Sequence, residues 1–279
     1  MTTDSLGLLD AVHGLPEQLA AAHEEAAVVL DGADLGTADN ITNIVVMGMG
    51  GSGIAGDVIA AVGTAGLSAP VVVLKQYRTP AYVGPRTLAF AVSYSGDTEE
   101  TVSMASSAAR CGARLVSVST GGALSALAAE YDGLHVPCPP GLLPRAAVGA
   151  LVAPLFVTAY RTGLAPGAHA QLVLAQEQLA RRRDKCKPSV DASANLARER
   201  ARLIGRTIPV IYGGGAIGSI AAYRWKCDVN ENAKAPSYSA MYPELGHNEI
   251  CGWGQHGDVT RQLMTLIQDR KSTRLNSSH

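Results

Sequence analysis

The stretch VVMGMGGSGIAGD, Val45 to Asp57, decides how the rest of the chain is read. An apolar, β-branched run leads into it, and Gly48, Gly50 and Gly53 then spell G-x-G-x-x-G ahead of a helical segment. That is the strand–turn–helix of an α/β unit in which backbone amides at a helix start face a phosphate. Ser52 stands inside the turn, where a pyrophosphate requires no hydroxyl. The turn by itself leaves open which phosphate it holds.

Outward from this turn the same alternation continues. NIVVMG (Asn43 to Gly48), PVVVLK (Pro70 to Lys75), TLAFAVS (Thr87 to Ser93) and ARLVSVS (Ala113 to Ser119) read as parallel strands covered on both faces, and LHVP (Leu134 to Pro137) as a short edge strand. GIAGDVIAAVG and TEETVSMASSAARCG between them read as helices, with Val102, Ala105 and Ala109 on one face of the second. PCPPGLLPRAA, Pro137 to Ala147, interrupts regular structure, and Pro144 suits the first position of a helix that carries the chain onward from Arg145. There TIPVIYGGGAIGSIAAYRWKCD repeats the strand, glycine turn and helix of the opening segment. Ile217, Ile220, Ala221 and Trp225 share one face of its helix, and Trp225 reads as core. The second turn, Gly213 to Gly218, lacks the hydroxyls of the first and reads as close strand–helix packing.

The expected fold is therefore α/β, with two tandem domains built on doubly wound parallel sheets flanked by helices. The first spans residues 1–155 and carries the phosphate loops; the second, residues 156–269, has fewer strand candidates and reads as truncated. Residues 270–279, RKSTRLNSSH, read as a non-native tail.

Composition narrows the partners. With 47% hydrophobic residues and a net charge of −1, the chain offers no electrostatic case for nucleic acid or an anionic membrane surface. The basic run RRRDKCK, Arg181 to Lys187, reads as a solvated helix end. Cys111, Cys138, Cys186, Cys227 and Cys251 are odd in number and lack disulfide or zinc spacing. No signal peptide or membrane span is written in the sequence, so the expected setting is cytoplasmic.

A dinucleotide turn wants a carboxylate at the end of the second strand, and Leu74, Lys75, Gln76 and Tyr77 supply none. Lys75 could serve a 2′-phosphate, which keeps an NADP-dependent oxidoreductase as an alternative. The third strand instead runs into SYSGDTEET, placing Ser93, Ser95 and Thr98 around Gly96 at a helix start. Two hydroxyl-bearing loops leaving neighbouring strand ends can converge on one small phosphate. The competing reading is plain capping by Asp97 and Glu100, with Glu99 and Glu100 repelling a phosphate if turned inward.

GMGGSGIAGD followed by SYSGDTEET resembles the phosphosugar-binding core of the sugar isomerase (SIS) fold. With WKCDVNENAKAP, YPELGHNEICGW and PRAA, the chain more closely resembles the bifunctional phosphoglucose/phosphomannose isomerases, from about Asn43 to Trp253. The resemblance implies interconversion of glucose 6-phosphate or mannose 6-phosphate with fructose 6-phosphate through a cis-enediol, without a metal or other cofactor. It implies Glu231 as proton shuttle, in a position suiting a partly buried carboxylate beside Lys234, and His247 as ring-opening group contributed across a homodimer interface. Arg145 would stabilise the enediolate. Ser52, Ser93, Ser95 and Thr98 would hold the phosphate, supported by Gly50, Gly51, Gly53 and Gly96. Glu244 and Glu249 flank the histidine without an assigned role, and His135 and His256 read as structural. The family's C-terminal lysine has no counterpart, Lys271 lying in the suspect tail. A phosphosugar sensor without catalysis is the second reading.

Overall fold

The computed structural model describes residue 4 and residues 6–63 and 66–268. The expected tail, with Lys271, lies outside the described residues. The chain divides into two units, one running through Arg183 and the other beginning at Asp184.

The first unit is built on a five-stranded parallel sheet. Its strands are β1 (Asn43–Met47), β2 (Val71–Leu74), β3 (Thr87–Val92), β4 (Arg114–Ser119) and β5 (Leu134–Pro137), in the order β2-β1-β3-β4-β5. Its helices are α1 (Leu8–His13), α2 (Leu15–Val29), α3 (Gly50–Gly63), α4 (Glu99–Arg110), α5 (Gly122–Glu130), α6 (Val148–Arg161) and α7 (Ala168–Cys186), whose last turn crosses the division. The two-residue period of the strands deals side chains to two cores. Ile44, Val46, Leu88, Phe90 and Val92 join α2, α3 and α6 on one side. Val45, Met47, Ala89 and Ala91 join Met104, Ala105 and Ala108 of α4 and Leu124 of α5 on the other. Each fully buried Leu, Ile or Phe here stabilises the fold by about 1.5–3 kcal/mol.

Three local expectations change. β2 is an edge strand whose face is only partly covered, and Val72 is exposed. Pro144 does start a helical turn, but it is the short 3-10 turn Pro144–Ala146, and α6 begins only at Val148. α6 does not leave the first unit: Gly149 through Ala159 are all buried in it, so the unit extends past residue 155.

The second unit has a three-stranded parallel sheet of order β7-β6-β8, from β6 (Ile208–Gly214), β7 (Tyr238–Tyr242) and β8 (Met264–Gln268). α8 (Leu196–Ile204) precedes β6, α9 (Gly215–Asp228) follows it, and α10 (Gly257–Leu263) precedes β8. The expected apolar face of α9 is not core: Ile217 is 64% and Trp225 37% exposed, while Ser219 and Ala222 are the buried positions. No helix among the described residues is long and apolar enough to cross a membrane.

Candidate active site

In a sheet of order 2-1-3-4-5 the strand order reverses between β1 and β3, and the crevice at their carboxyl ends is where an α/β sheet takes a ligand. The two loops singled out in the sequence leave from these two ends. Gly48 must be glycine because a Cβ there would meet the Val92 carbonyl of the neighbouring strand at 2.9 Å. A Cβ on Gly53 would meet the Gly48 carbonyl at 2.6 Å, so the turn closes tightly and α3 starts directly beneath it. Gly96, with φ of 82°, occupies the left-handed region, and a Cβ there would overlap the Gly121 carbonyl.

The four hydroxyls come together. Ser93 Oγ lies 2.8 Å from Thr98 Oγ1 and 3.4 Å from Ser95 Oγ, and it accepts from Gly96 N at 3.2 Å. Ser95 Oγ accepts from Asp97 N at 3.3 Å, and Ser52 Oγ from Tyr94 N at 3.4 Å. The last bond ties the β1 loop to the β3 loop. Ser93 is buried and Ser95 exposed, so the cluster reaches from the sheet end to solvent.

The capping reading is corrected. Thr98, not Asp97, is the N-cap of α4, and its hydroxyl bonds Ser93 rather than the helix. Asp97 Oδ1 accepts instead from Ala123 N at 2.8 Å, capping α5 from a different loop. The first-turn amides of α4 are thus left without a side-chain cap, which is the condition for an anion site at a helix start. Glu99 and Glu100 sit beside Tyr77 and raise its hydroxyl pKa, Glu100 first, so that hydroxyl stays protonated.

Arg145 joins the cluster through the backbone. A Cβ on Gly51 would meet the Pro144 carbonyl at 3.6 Å and Arg145 Cα at 3.8 Å, placing the 3-10 turn against the start of α3. Tyr94, which the sequence reading passed over, fastens this approach. Its hydroxyl donates to the Pro139 carbonyl and accepts from Leu142 N, both at 2.8 Å, and burial raises its pKa. The available signal was a lone polar-tipped aromatic between two loop serines. Lys75, considered for a 2′-phosphate, pairs with Asp57 and lays its stem over Gly53. His135 bonds Ser119 and Ser125 and is structural, as expected.

Glu231 and His247 belong to the second unit. α9 ends in a π-helical turn, Val229–Ala233, that projects Glu231. Lys234 closes it in the left-handed region, and the Asn230 amide donates to the Ala235 carbonyl at 2.9 Å. Glu231 is exposed rather than partly buried. It forms no ion pair with Lys234 among the described residues. His247 follows β7, between the 3-10 turns Glu244–Gly246 and Glu249–Trp253, and is also exposed. Glu231 therefore precedes β7 and His247 follows it. β7, five residues long, stands between the two along the chain.

Comparisons with known proteins bear on the family and the fold. A bifunctional phosphoglucose/phosphomannose isomerase of Caldicellulosiruptor bescii is 36% identical over 246 residues, 88% of this chain and 71% of the relative. The chain belongs to the bifunctional phosphoglucose/phosphomannose isomerase family. A family relative of the same name from Thermoplasma acidophilum is 39% identical over 75% of this chain and 61% of its own. The family model described as bacterial phospho-glucose isomerase C-terminal SIS domain matches residues 193–277. Among solved structures, the C-terminal domain of glucosamine-fructose-6-phosphate aminotransferase from Francisella tularensis superposes with a TM-score of 0.65 at 14% identity, over 94% of this chain and 82% of that one. That likeness is one of fold.

Proposed function

We propose that this protein is an aldose–ketose isomerase that interconverts glucose 6-phosphate, mannose 6-phosphate or both with fructose 6-phosphate, in a cytoplasmic setting. The observation that carries the reading is the convergence of Ser52, Ser93, Ser95 and Thr98 at the switch point of the first sheet, in a chain of this family. Four hydroxyls and the uncapped amides of α4 suit a monoester phosphate. Arg145, held beside the same crevice, suits the oxygens of an enediolate.

In this reading His247 assists ring opening by moving the proton between the ring oxygen and the C1 hydroxyl. Glu231 takes the C2 proton of the open aldose as C1–C2 becomes the enediol, then delivers it to C1 while the C2 hydroxyl becomes the ketone. The exposure of Glu231 suits a carboxylate covered only in the assembled site. The protein acts as a homodimer, each site taking His247 from the partner copy. What supports this is the family, together with the exposure of both Glu231 and His247, which leaves both side chains open to a partner copy.

The test is fructose 6-phosphate formation from each aldose phosphate, with Glu231→Gln alongside. Turnover by the wild type, with loss of about 1,000-fold in the variant and phosphosugar affinity retained, is expected for a proton-transfer residue. Binding without turnover in the wild type would instead establish a phosphosugar sensor. Equal loss of binding and turnover in the variant would remove Glu231 from the chemistry.

A further inference from the structure

His247 makes no hydrogen bond or ion pair through its imidazole among the described residues, so whatever aims the ring acts through the backbone on either side. Both sides lead to Tyr212. On the N-terminal side, Leu245 is 1% exposed and packs with Val210 and Tyr212, while His247 N donates to the Glu244 carbonyl at 2.9 Å. On the C-terminal side, Trp253 Nε1 donates to Tyr212 Oη at 2.7 Å. Asn248 closes the arch, accepting from Glu249 N at 2.6 Å and donating to Glu244 Oε1 at 3.2 Å. The Tyr212 ring meets Tyr242 and Trp253 edge to face, at 6.1 and 6.4 Å between centroids.

We infer that Tyr212 is a positioning residue for His247, its hydroxyl fixing the turn that carries the imidazole. Tyr212 suits the task because it stands on β6, the central strand paired on both sides, and is 5% exposed. Burial first, and then the nearby Glu249 carboxylate, pushes its pKa up to about 12, so the hydroxyl stays neutral as it accepts from Trp253. The Trp253 indole of the 249–253 turn thus depends on one buried oxygen, and removing it leaves that N–H without its partner. The inference rests on the reading of His247 as the ring-opening group.

Tyr212→Phe keeps the ring and deletes the oxygen. The experiment measures kcat, KM and the C2-deuterium isotope effect on kcat for glucose 6-phosphate, in wild type, Tyr212→Phe and His247→Asn. A misplaced histidine slows ring opening, so Tyr212→Phe should lose about 10-fold in kcat with KM within about twofold. Its isotope effect should move toward one, because C2–H cleavage then limits turnover less. Lower structural integrity alone would reduce the active fraction and leave the isotope effect untouched. A wild-type kcat, or an isotope effect equal to the wild type's, would overturn the assignment. Wild-type turnover by His247→Asn would instead overturn the reading of the histidine itself. Should Tyr212→Phe lose its cooperative melt, Trp253→Phe removes the donor from the other side and must show the same split; its failure to do so counts against Tyr212 equally.

Discussion

The two glycine turns of this chain are built alike and equipped differently. In the first, Gly48 and Gly53 close on each other beneath β1; in the second, Gly213 and Gly218 do the same beneath β6, where a Cβ on Gly213 would overlap the Gly218 carbonyl. Gly50 and Gly215 occupy the same place in their turns, both in the left-handed region, at φ of 53° and 65°. Counting from the first glycine, Ser52 of one turn corresponds to Ile217 of the other. Ser52 is bonded to the neighbouring loop, while Ile217 stands 64% exposed beside Trp225. The glycines answer to backbone proximity, and the hydroxyls, in the proposed reading, to the ligand. A G-x-G-x-x-G spelling therefore reports a strand–turn–helix and says little about which phosphate, if any, it receives.

The largest effect that separates the turns should be on binding. Ser52→Ala with Ser95→Ala removes two hydroxyls from the cluster proposed to hold the phosphate and should weaken phosphosugar affinity by about 100-fold or more, at roughly 1.5–3 kcal/mol per hydrogen bond to a charged group. Ile217→Ala should leave that affinity unchanged in the same titration calorimetry. Equal losses from both would break the comparison. On stability the turns should behave alike: Gly48→Ala and Gly213→Ala should each cost about 1–3 kcal/mol in denaturant unfolding, since each Cβ meets backbone that cannot swing aside. A silent Gly213→Ala would show that the second turn is not closed as the first is.

Smaller effects test what surrounds the first turn. Tyr94→Phe frees the Pro139 carbonyl and Leu142 N and should lower kcat/KM by about fivefold, matching about 1 kcal/mol for a lost hydrogen bond. The smallest concerns pH. His23 lies 3.1 Å from His169 between Nε2 and Nδ1, and burial first, then His169, lowers its pKa from 6.5. The unfolded chain then binds the proton more readily than the folded one, so stability is lost as pH falls through about 6.5 and below. His23→Gln should flatten the difference in urea midpoint between about pH 7.5 and about pH 5.5.

Much of this was legible in the sequence because it rests on local rules. β-branched runs gave the strands, glycines gave the turns, and the spacing of Ser93, Ser95 and Thr98 gave the hydroxyl cluster. Long-range partners were not legible. Asp97 followed three residues later by Glu100 reads as a capping box, yet its carboxylate reaches α5, because Gly96 turns the loop toward Gly121. PVVVLK looks as buried as its neighbours, and only the sheet order makes it an edge. The face of α9 with Ile217 and Trp225 has the period of a buried helix face but remains exposed. Tyr94 and Tyr212 were invisible for a related reason: each works through a hydroxyl whose partners are more than forty residues away.

The proposed mechanism turns on His247 reaching each site from the partner copy, and mixing two inactive variants tests it most directly. Glu231→Gln and His247→Asn, each inactive alone, are mixed in equal amounts under conditions that exchange subunits, and fructose 6-phosphate formation is followed. Sites completed across a two-fold interface predict recovery of about a quarter of wild-type activity, because half of the dimers are mixed and each carries one intact site. A mixture as inactive as its components, with exchange verified, would mean that one copy supplies both groups and would contradict the composite site.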